Sequence, residues 1–398
     1  MRILLGLILT IYILLLKSIG GLKRPKCNKY ESFSVEMLLT GTFFSNNWII
    51  THLRPIAESD KCKEIKMVST RPIPQIKGVK GVYPPRWLVK VLGKTPARLL
   101  LFTWRAFVDR PDIIGGFHMI PNGLLIALIG KVVGAKSIYF CGGGKWEVMG
   151  GGYLGNRIFA RLKGPDRIIE KYLFTVLSYF DAIIVKGSKT ANFFGQLTKT
   201  PVWIIRGAFD DEKFCIEGAH RDIDLITVGR LTQVKRIDKF LRVVKLLKEQ
   251  FTDMRAVVVG DGPLMMWMMK LAQELGVDKE VEFTGYQENV EIWLKRSKVF
   301  CLTSDSEGLS QAMVQAMLCG AVPVVSNVGD LSDLVVPGSN GFLVEDRSAE
   351  SFKATITLLL RSHFLWNKLS KNASEDAKVC TIQNVTSEWN KILTSLNN

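Results

Sequence analysis

The 398-residue chain has seven cysteines, at positions 27, 62, 141, 215, 301, 319 and 380, and no two of them form a CxxC pair. That spacing offers neither a zinc site nor a disulfide framework, so the thiols read as reduced, mostly packing residues of a cytosol-facing protein. No HExxH, GxSxG or Walker loop occurs, which leaves zincin, hydrolase and P-loop readings without support. Proline is sparse at 14 residues against an apolar content of 47%, and no tandem repeat or low-complexity tract is present, as expected of a globular chain. Acidic residues are scarce in the first half: residues 1–220 carry 32 Lys and Arg against 15 Asp and Glu, whereas residues 221–398 carry 21 against 22. No helix-turn-helix, RNP-type or zinc-finger pattern accompanies that charge, which argues against a nucleic-acid partner and for an anionic membrane surface.

The N-terminus supports the membrane reading. Ile3 to Leu16 is an apolar run of 14 residues, short of the roughly 20 that span a bilayer upright. Lys17, Lys23, Arg24, Lys26 and Lys29 follow it and only Arg2 precedes it, a bias that keeps the rest of the chain in the cytoplasm. Residues 1–22 are therefore expected to be a hydrophobic membrane anchor, either spanning or lying flat.

The remaining length exceeds one ordinary core, and the pattern is of two α/β series. Segments 35–41, 64–70, 111–117, 136–142, 182–187 and 202–208 read as buried parallel strands, with helices such as LLIALIGKVVG and IEKYLFTVLSYF between them. Residues 142–165 form a glycine-rich, basic loop too long to be a plain connector. Polarity rises at 209–222, after which strands are expected at 224–229, 255–260, 280–285, 299–304 and 321–326. The expected architecture is two Rossmann-like, doubly wound domains facing across a cleft. They cover 28–215 and 216–380, and a C-terminal helix, 381–398, packs back toward the first.

Ligands of such sheets sit at strand-to-helix turns. Arg230 is at the exit of the strand DLITVG and Lys235 near the following helix start, two cations suited to a diphosphate whose charge grows as its ester breaks; a solvated charged loop is the alternative. The turn VVVGDGPL has a dinucleotide-like look, but Met265 takes the third glycine place and a tight βα turn explains Gly260 and Gly262. Tyr286 could flank a planar base or cap the sheet. In TSDSEGLSQAMVQAML, Glu307 and Gly308 stand ahead of a buried helix whose free N–H groups favour an anionic or hydroxyl-rich ligand. Asp222 and Asp224 have metal-motif spacing but lie at a strand entrance, and read as solvated charge.

Taken in order, GRLTQVKRIDKFL, VVVGDGPL, EFTGYQENVEIWLKRSKVFCLTSDSEGLSQAMVQAM and GAVPVVSNVGDLSDLVVPGSNGFLVE resemble the nucleotide-binding half of the GT-B glycosyltransferases of family 4. The likeness runs from Asp224 to Glu345, and is looser in PDIIGGFH, FDAIIVKGSKTANFF and VWIIRGAFDDEKF. It implies a retaining hexosyltransferase that uses a nucleotide diphosphate sugar as co-substrate, with no metal or other cofactor. The acceptor would be lipid-linked or a growing glycan, at the inner face of a membrane. By that likeness Arg230 and Lys235 hold the diphosphate and Glu307 contacts sugar hydroxyls. Gly308 and Leu309 offer backbone N–H groups, and Gly229, Gly262, Tyr286 and Ser310 complete the donor site. Two positions depart from the family. Gln315 stands where a second glutamate accepts from the ribose hydroxyls, which removes the charge assistance of that bond. Cys141 stands where many relatives have an acceptor-side histidine. His118, Lys145 or Glu147 are the candidate replacements, beside Gly142 and Gly143, while Gly41 and Thr42 lie where the family's acceptor domain approaches the diphosphate. A nucleotide-sugar epimerase, an NAD-dependent oxidoreductase and a non-catalytic sugar-nucleotide-binding partner are the alternatives.

Overall fold

The computed structural model describes residues 2–20, 34–43, 45–152, 164–218 and 220–397, with the side chains of residues 2–5 and 20 outside that description. Lys23, Arg24, Lys26 and Lys29 of the basic flank, and positions 153–163 of the glycine-rich loop, lie outside the described residues. The chain divides into two compact units. One comprises residues 1–208 and 382–398, the other residues 209–381.

The first unit has a seven-stranded sheet, β3-β2-β1-β4-β5-β6-β7, in which every pair is parallel. Its strands are β1 Val35–Thr40, β2 Cys62–Val68, β3 Val79–Val82, β4 Ile113–Phe117, β5 Lys136–Phe140, β6 Ala182–Val185 and β7 Val202–Ile204. The helices are α1 Arg2–Gly20, α2 Asn46–Ala57, α3 Arg86–Leu92, α4 Lys94–Asp109, α5 Leu124–Val133, α6 Arg167–Leu177 and α7 Ser188–Leu197, with one more at the C-terminus described below. Side chains alternate across the sheet, so Leu38, Ile114 and Tyr139 face one core and Met37, Leu39, Ile113 and Ile138 the other. Phe102, Ile126 and Leu173 from α4, α5 and α6 cover the first face, and Leu53 and Ile56 from α2 the second.

The second unit repeats the plan with six strands, β10-β9-β8-β11-β12-β13, again parallel throughout. They are β8 Ile223–Val228, β9 Ala256–Val259, β10 Val281–Gly285, β11 Ser297–Leu302, β12 Val322–Ser326 and β13 Phe342–Val344. The helices are α8 Ile237–Lys248, α9 Met265–Leu275, α10 Val290–Lys295, α11 Gln311–Leu318, α12 Ala349–Arg361 and α13 His363–Ala377. The last helix, α14 Ile382–Asn397, belongs to the first unit, where it packs beside α2 and buries Trp389, Ile392 and Leu393.

Three differences from the sequence reading have physical causes. The strands β3 and β13 went unseen because they are short sheet edges, too brief for a periodic signal. The division between units falls at 208/209. Phe209 and Phe214 are buried in the second core, and the Phe209 N–H donates to the Cys380 carbonyl at 2.9 Å, so this segment is packed structure and no linker. The apolar N-terminal run is a helix whose Leu9, Ile13 and Leu16 are buried in the core of the first unit, and it packs on α5 and α6. Among the described residues no helix is long and apolar enough to cross a membrane. The face of α1 bearing Leu7, Ile8, Ile11, Leu14 and Leu15 is exposed.

Asp222 and Asp224 are ion-paired, the first with Arg255 at 2.8 Å and Arg296, the second with Lys298 at 2.8 Å. The hydrogen bond from Arg296 holds the Asp222 carboxyl down at about 2, which fits a structural cross-link at the strand entrances. Gly262 also has a local reason. A Cβ there would lie 2.4 Å from the Leu231 carbonyl oxygen and 2.7 Å from the Leu231 nitrogen, because the turns after β8 and β9 touch backbone to backbone. Gly262→Ala should therefore destabilise the second unit by about 1–3 kcal/mol through overpacking, measured as a lower midpoint in urea with an unchanged slope.

Candidate functional site

In the first unit the carboxyl ends of β4 and β5 bring a histidine to a glutamate. His118 follows β4 with φ of +68°, a region sparsely used by residues with a Cβ. Its Nδ1 lies 2.8 Å from Glu147 Oε1. Glu147 is buried and also accepts from the Tyr139 hydroxyl at 2.6 Å and from the N–H groups of Met119 at 3.0 Å and Gly143 at 2.5 Å. Burial by itself would lower the pKa of His118, but the adjacent carboxylate outweighs it and the net shift is upward. For Glu147 burial pulls upward, and the charge of His118 with the hydrogen bonds from His118, Tyr139 and Gly143 brings it below the usual carboxylate range. The glycines are needed for closeness: a Cβ on Gly142 would stand 3.0 Å from His118 Cε1, and one on Gly143 3.1 Å from Glu147 Cγ. Lys145 is exposed over the Trp146 ring at 5.3 Å, and stays outside this network.

A second imidazole, His52 on α2, went unmarked in the sequence. It stacks on Trp48 at 3.8 Å, and its Nε2 lies 2.6 Å from Lys186 Nζ, at the end of β6. Burial first, and then the Lys186 charge, push its pKa well below the ordinary value, so it is neutral, accepts from Lys186 and donates from Nδ1 to the Trp48 carbonyl at 2.6 Å. The available signal was scarcity: the chain has four histidines, and this one follows the first βα turn.

In the second unit the strand order reverses between β8 and β11, the position where a doubly wound sheet leaves a crevice at its carboxyl edge. Arg230 leaves β8 exposed and has no ion pair among the described residues. Lys235 ends a short 3-10 turn and places Nζ 2.5 Å from Glu307 Oε1 in the loop after β11. The two loops are joined further. The Asp305 N–H donates to the Val234 carbonyl at 2.9 Å, the Thr303 hydroxyl to the Arg236 carbonyl at 2.8 Å, and Arg236 pairs with Asp238 at 3.0 Å and Asp305 at 3.2 Å. Gly329, which the sequence reading passed over, has φ of +57°, and a Cβ on it would meet the Glu307 carbonyl oxygen at 2.0 Å. The Asp330 N–H then donates to the Gly308 carbonyl at 3.3 Å, so the loop after β12 backs the loop that carries Glu307.

The expected donor residues separate into three kinds. Gly229, Arg230, Lys235, Glu307 and Gly308 cluster at this edge, with open space over the Gly308 Cα. Leu309 is buried in the core, and the Ser310 hydroxyl caps α11 by accepting from the Met313 N–H at 3.3 Å. Tyr286 follows β10 and is 65% exposed. Gln315 is 8% exposed on α11 and makes no side-chain hydrogen bond among the described residues.

Residues 209–378 match the family model described as Glycosyl transferases group 1. That segment spans nearly all of the second unit, about two fifths of the chain. An uncharacterized glycosyltransferase of Haemophilus influenzae is 28% identical over 170 residues, 42% of this chain and 48% of that protein. The N-acetylgalactosamine-N,N'-diacetylbacillosaminyl-diphospho-undecaprenol 4-alpha-N-acetylgalactosaminyltransferase of Campylobacter jejuni is 27% identical over 206 residues, 49% of this chain and 55% of that protein. The chain thus spans about half the length of these curated relatives. The crystal structure of Anabaena Alr3699/HepE in complex with UDP superposes with a TM-score of 0.70 at 14% identity, covering 90% of this chain and all of that one, a likeness of fold. The Lys235–Glu307 pair therefore lies inside the matched segment, and the His118–Glu147 pair outside it.

Because Glu147 is what raises the pKa of His118, Glu147→Gln should bring it down, below the ordinary imidazole value where burial then governs. The pair stabilises the fold while His118 is charged, a contribution present below the unfolded imidazole pKa and lost as pH rises through the raised one. An NMR titration of the His118 ring in both proteins measures the shift.

Proposed function

We propose that the chain is a retaining, metal-independent glycosyltransferase of family 4 that moves a hexosyl residue from a nucleotide diphosphate sugar to a lipid-linked or glycan acceptor. The observation that carries this reading is the Lys235–Glu307 pair at the β8/β11 reversal, inside the segment matching the group 1 family. On this reading Arg230 and Lys235 hold the diphosphate and stabilise the charge that develops as the sugar leaves. Glu307, aimed by Lys235 and by the Gly329 turn, accepts from sugar hydroxyls, while Gly308 and Leu309 present backbone N–H groups. The Tyr286 ring flanks the base, and Gln315 accepts from the ribose with a neutral oxygen. His118, oriented by Glu147, serves the acceptor side. The diphospho-undecaprenol in the name of the Campylobacter jejuni relative and the UDP in the Anabaena structure support a polyprenyl-linked acceptor and a uridine donor.

The membrane reading now rests on exposed side chains. Leu7, Ile8, Ile11, Leu14 and Leu15 of α1, and Trp87, Val91 and Trp104 of α3 and α4, are large apolar groups open to solvent in a strongly basic unit. Such a surface suits shallow insertion at the anionic inner face of a membrane, with both units in the cytoplasm.

Isolated membranes with a panel of UDP, GDP and ADP sugars provide the test. Lys235→Ala and Glu307→Ala should each lower sugar transfer by about a hundredfold or more, the usual effect of removing one transition-state contact. Unchanged transfer in Glu307→Ala would overturn the assignment. Gln315→Glu should tighten donor binding by roughly tenfold, since a charge-assisted bond is about twice as strong as a neutral one. Vesicle co-sedimentation checks the surface: Ile8→Glu/Ile11→Glu should weaken binding to anionic vesicles without loss of donor binding.

A further inference from the structure

The carboxyl edge of the first sheet holds a cavity of about 220 Å³ that includes neither His118 nor Glu147. It lies beside the reversal between β1 and β4, and Gly41 and Thr42 form part of its wall. Its charge is one-sided. Arg71, Lys94 and Arg98 line it, no carboxylate does, and none of the three makes an ion pair among the described residues. Arg98 is 2% exposed, and its guanidinium donates only to neutral oxygens, Thr40 Oγ1 at 2.5 Å and Asn122 Oδ1 at 2.9 Å. A buried cation is ordinarily paired, since removing it from water is costly without an opposite charge. Burial accordingly pushes the Arg98 guanidinium down to about 10.

The rest of the wall suits an anion. Lys94 and Thr95 are the first residues of the 16-residue α4, whose N-cap is Gly93 with no side-chain cap; Pro96 has no N–H and the Ala97 N–H donates to the Gly93 carbonyl at 3.2 Å, so the N–H groups of Lys94 and Thr95 are the two this helix start leaves at the cavity wall. Ser45 and Asn46 at the start of α2 also line it. Three cations beside two helix starts exceed what a single carboxylate balances, and a sugar would call for acceptor carboxylates that the wall lacks. A volume below the usual 300 Å³ or more of a whole-ligand pocket fits a head group. The exposed Trp87 and Val91 belong to α3, the helix that ends just before Gly93 and Lys94, giving an apolar tail a surface to lie on.

We propose that this cavity binds the phosphate or diphosphate group of the acceptor, through Arg71, Lys94 and Arg98. The inference rests on the glycosyltransferase reading for the word acceptor, while the anion site itself stands on the geometry of the first unit. Phosphate oxygens would supply the missing charge opposite Arg98, and an isoprenoid or acyl chain would leave toward α3. The acceptor would then be selected by its phosphate before any sugar on it is read.

Calorimetric binding of farnesyl diphosphate, inorganic pyrophosphate, farnesol and UDP to the full chain tests this. Farnesyl diphosphate should bind, and Arg71→Gln/Lys94→Gln should weaken it at least tenfold, with a shallower salt dependence, because charge-assisted bonds are lost. Lys235→Ala should leave farnesyl diphosphate binding intact while weakening UDP. Pyrophosphate binding as tightly as farnesyl diphosphate, and equally sensitive to the double substitution, would support the phosphate site with a soluble acceptor as its source. Farnesol binding as tightly as the diphosphate, no binding at all, or loss of binding in Lys235→Ala but not in the double variant, would overturn the proposal. Absence of UDP binding to the unaltered chain, with farnesyl diphosphate still bound, would count against the donor reading and not against this site. The variants should keep the thermal midpoint, since both altered residues are exposed; Arg98→Met adds the buried cation where it folds.

Discussion

The parallel pairing of β8 with β11 is the constraint on which the candidate site of the second unit depends. It sets two loops side by side although Lys235 and Glu307 are 72 positions apart in the chain. Everything else there is reinforcement. The Asp305 to Val234 and Thr303 to Arg236 hydrogen bonds fix the loop spacing, and the Gly329 turn presses the Glu307 loop from behind. A carboxylate aimed by a lysine and a bent backbone is already oriented before a ligand arrives, so binding does not have to supply that ordering.

The first unit follows the same topological logic with different contents. Its sheet also reverses, between β1 and β4, and the carboxyl edge there divides into two chemistries. Around β4 and β5 the partly exposed His118 and the buried Glu147 balance each other's charge. Around β1 and β2 a cavity gathers three cations that make no ion pair among the described residues. A satisfied pair can orient or exchange a proton, whereas cations without opposite charge suit an anionic ligand, and the two proposed roles rest on that contrast.

Much of this was legible. Six of the seven strands of the first sheet and five of the six of the second fall where apolar β-rich runs end in glycine or polar turns. Arg230, Lys235 and Glu307 were readable because each stands just past such a strand. What was missed was weak locally: β3 and β13 are edge strands of a few residues, His52 sits in an ordinary helix, and Gly329 resembles any turn glycine until its neighbour is known. The apolar run at residues 3–16 was read from its length and its basic flank, and neither tells a helix buried on one face from a helix in lipid.

The sequence by itself determined the two parallel sheets, the turns that carry the charged residues and the basic bias of the first half, because period, propensity and charge are local properties. Only the tertiary structure decided which loops meet. Strand order places Glu307 against Lys235, Glu147 against His118, and three cations around one cavity. The reason is physical: a strand fixes its own side-chain alternation, but its neighbour in the sheet is chosen by the packing of the whole unit.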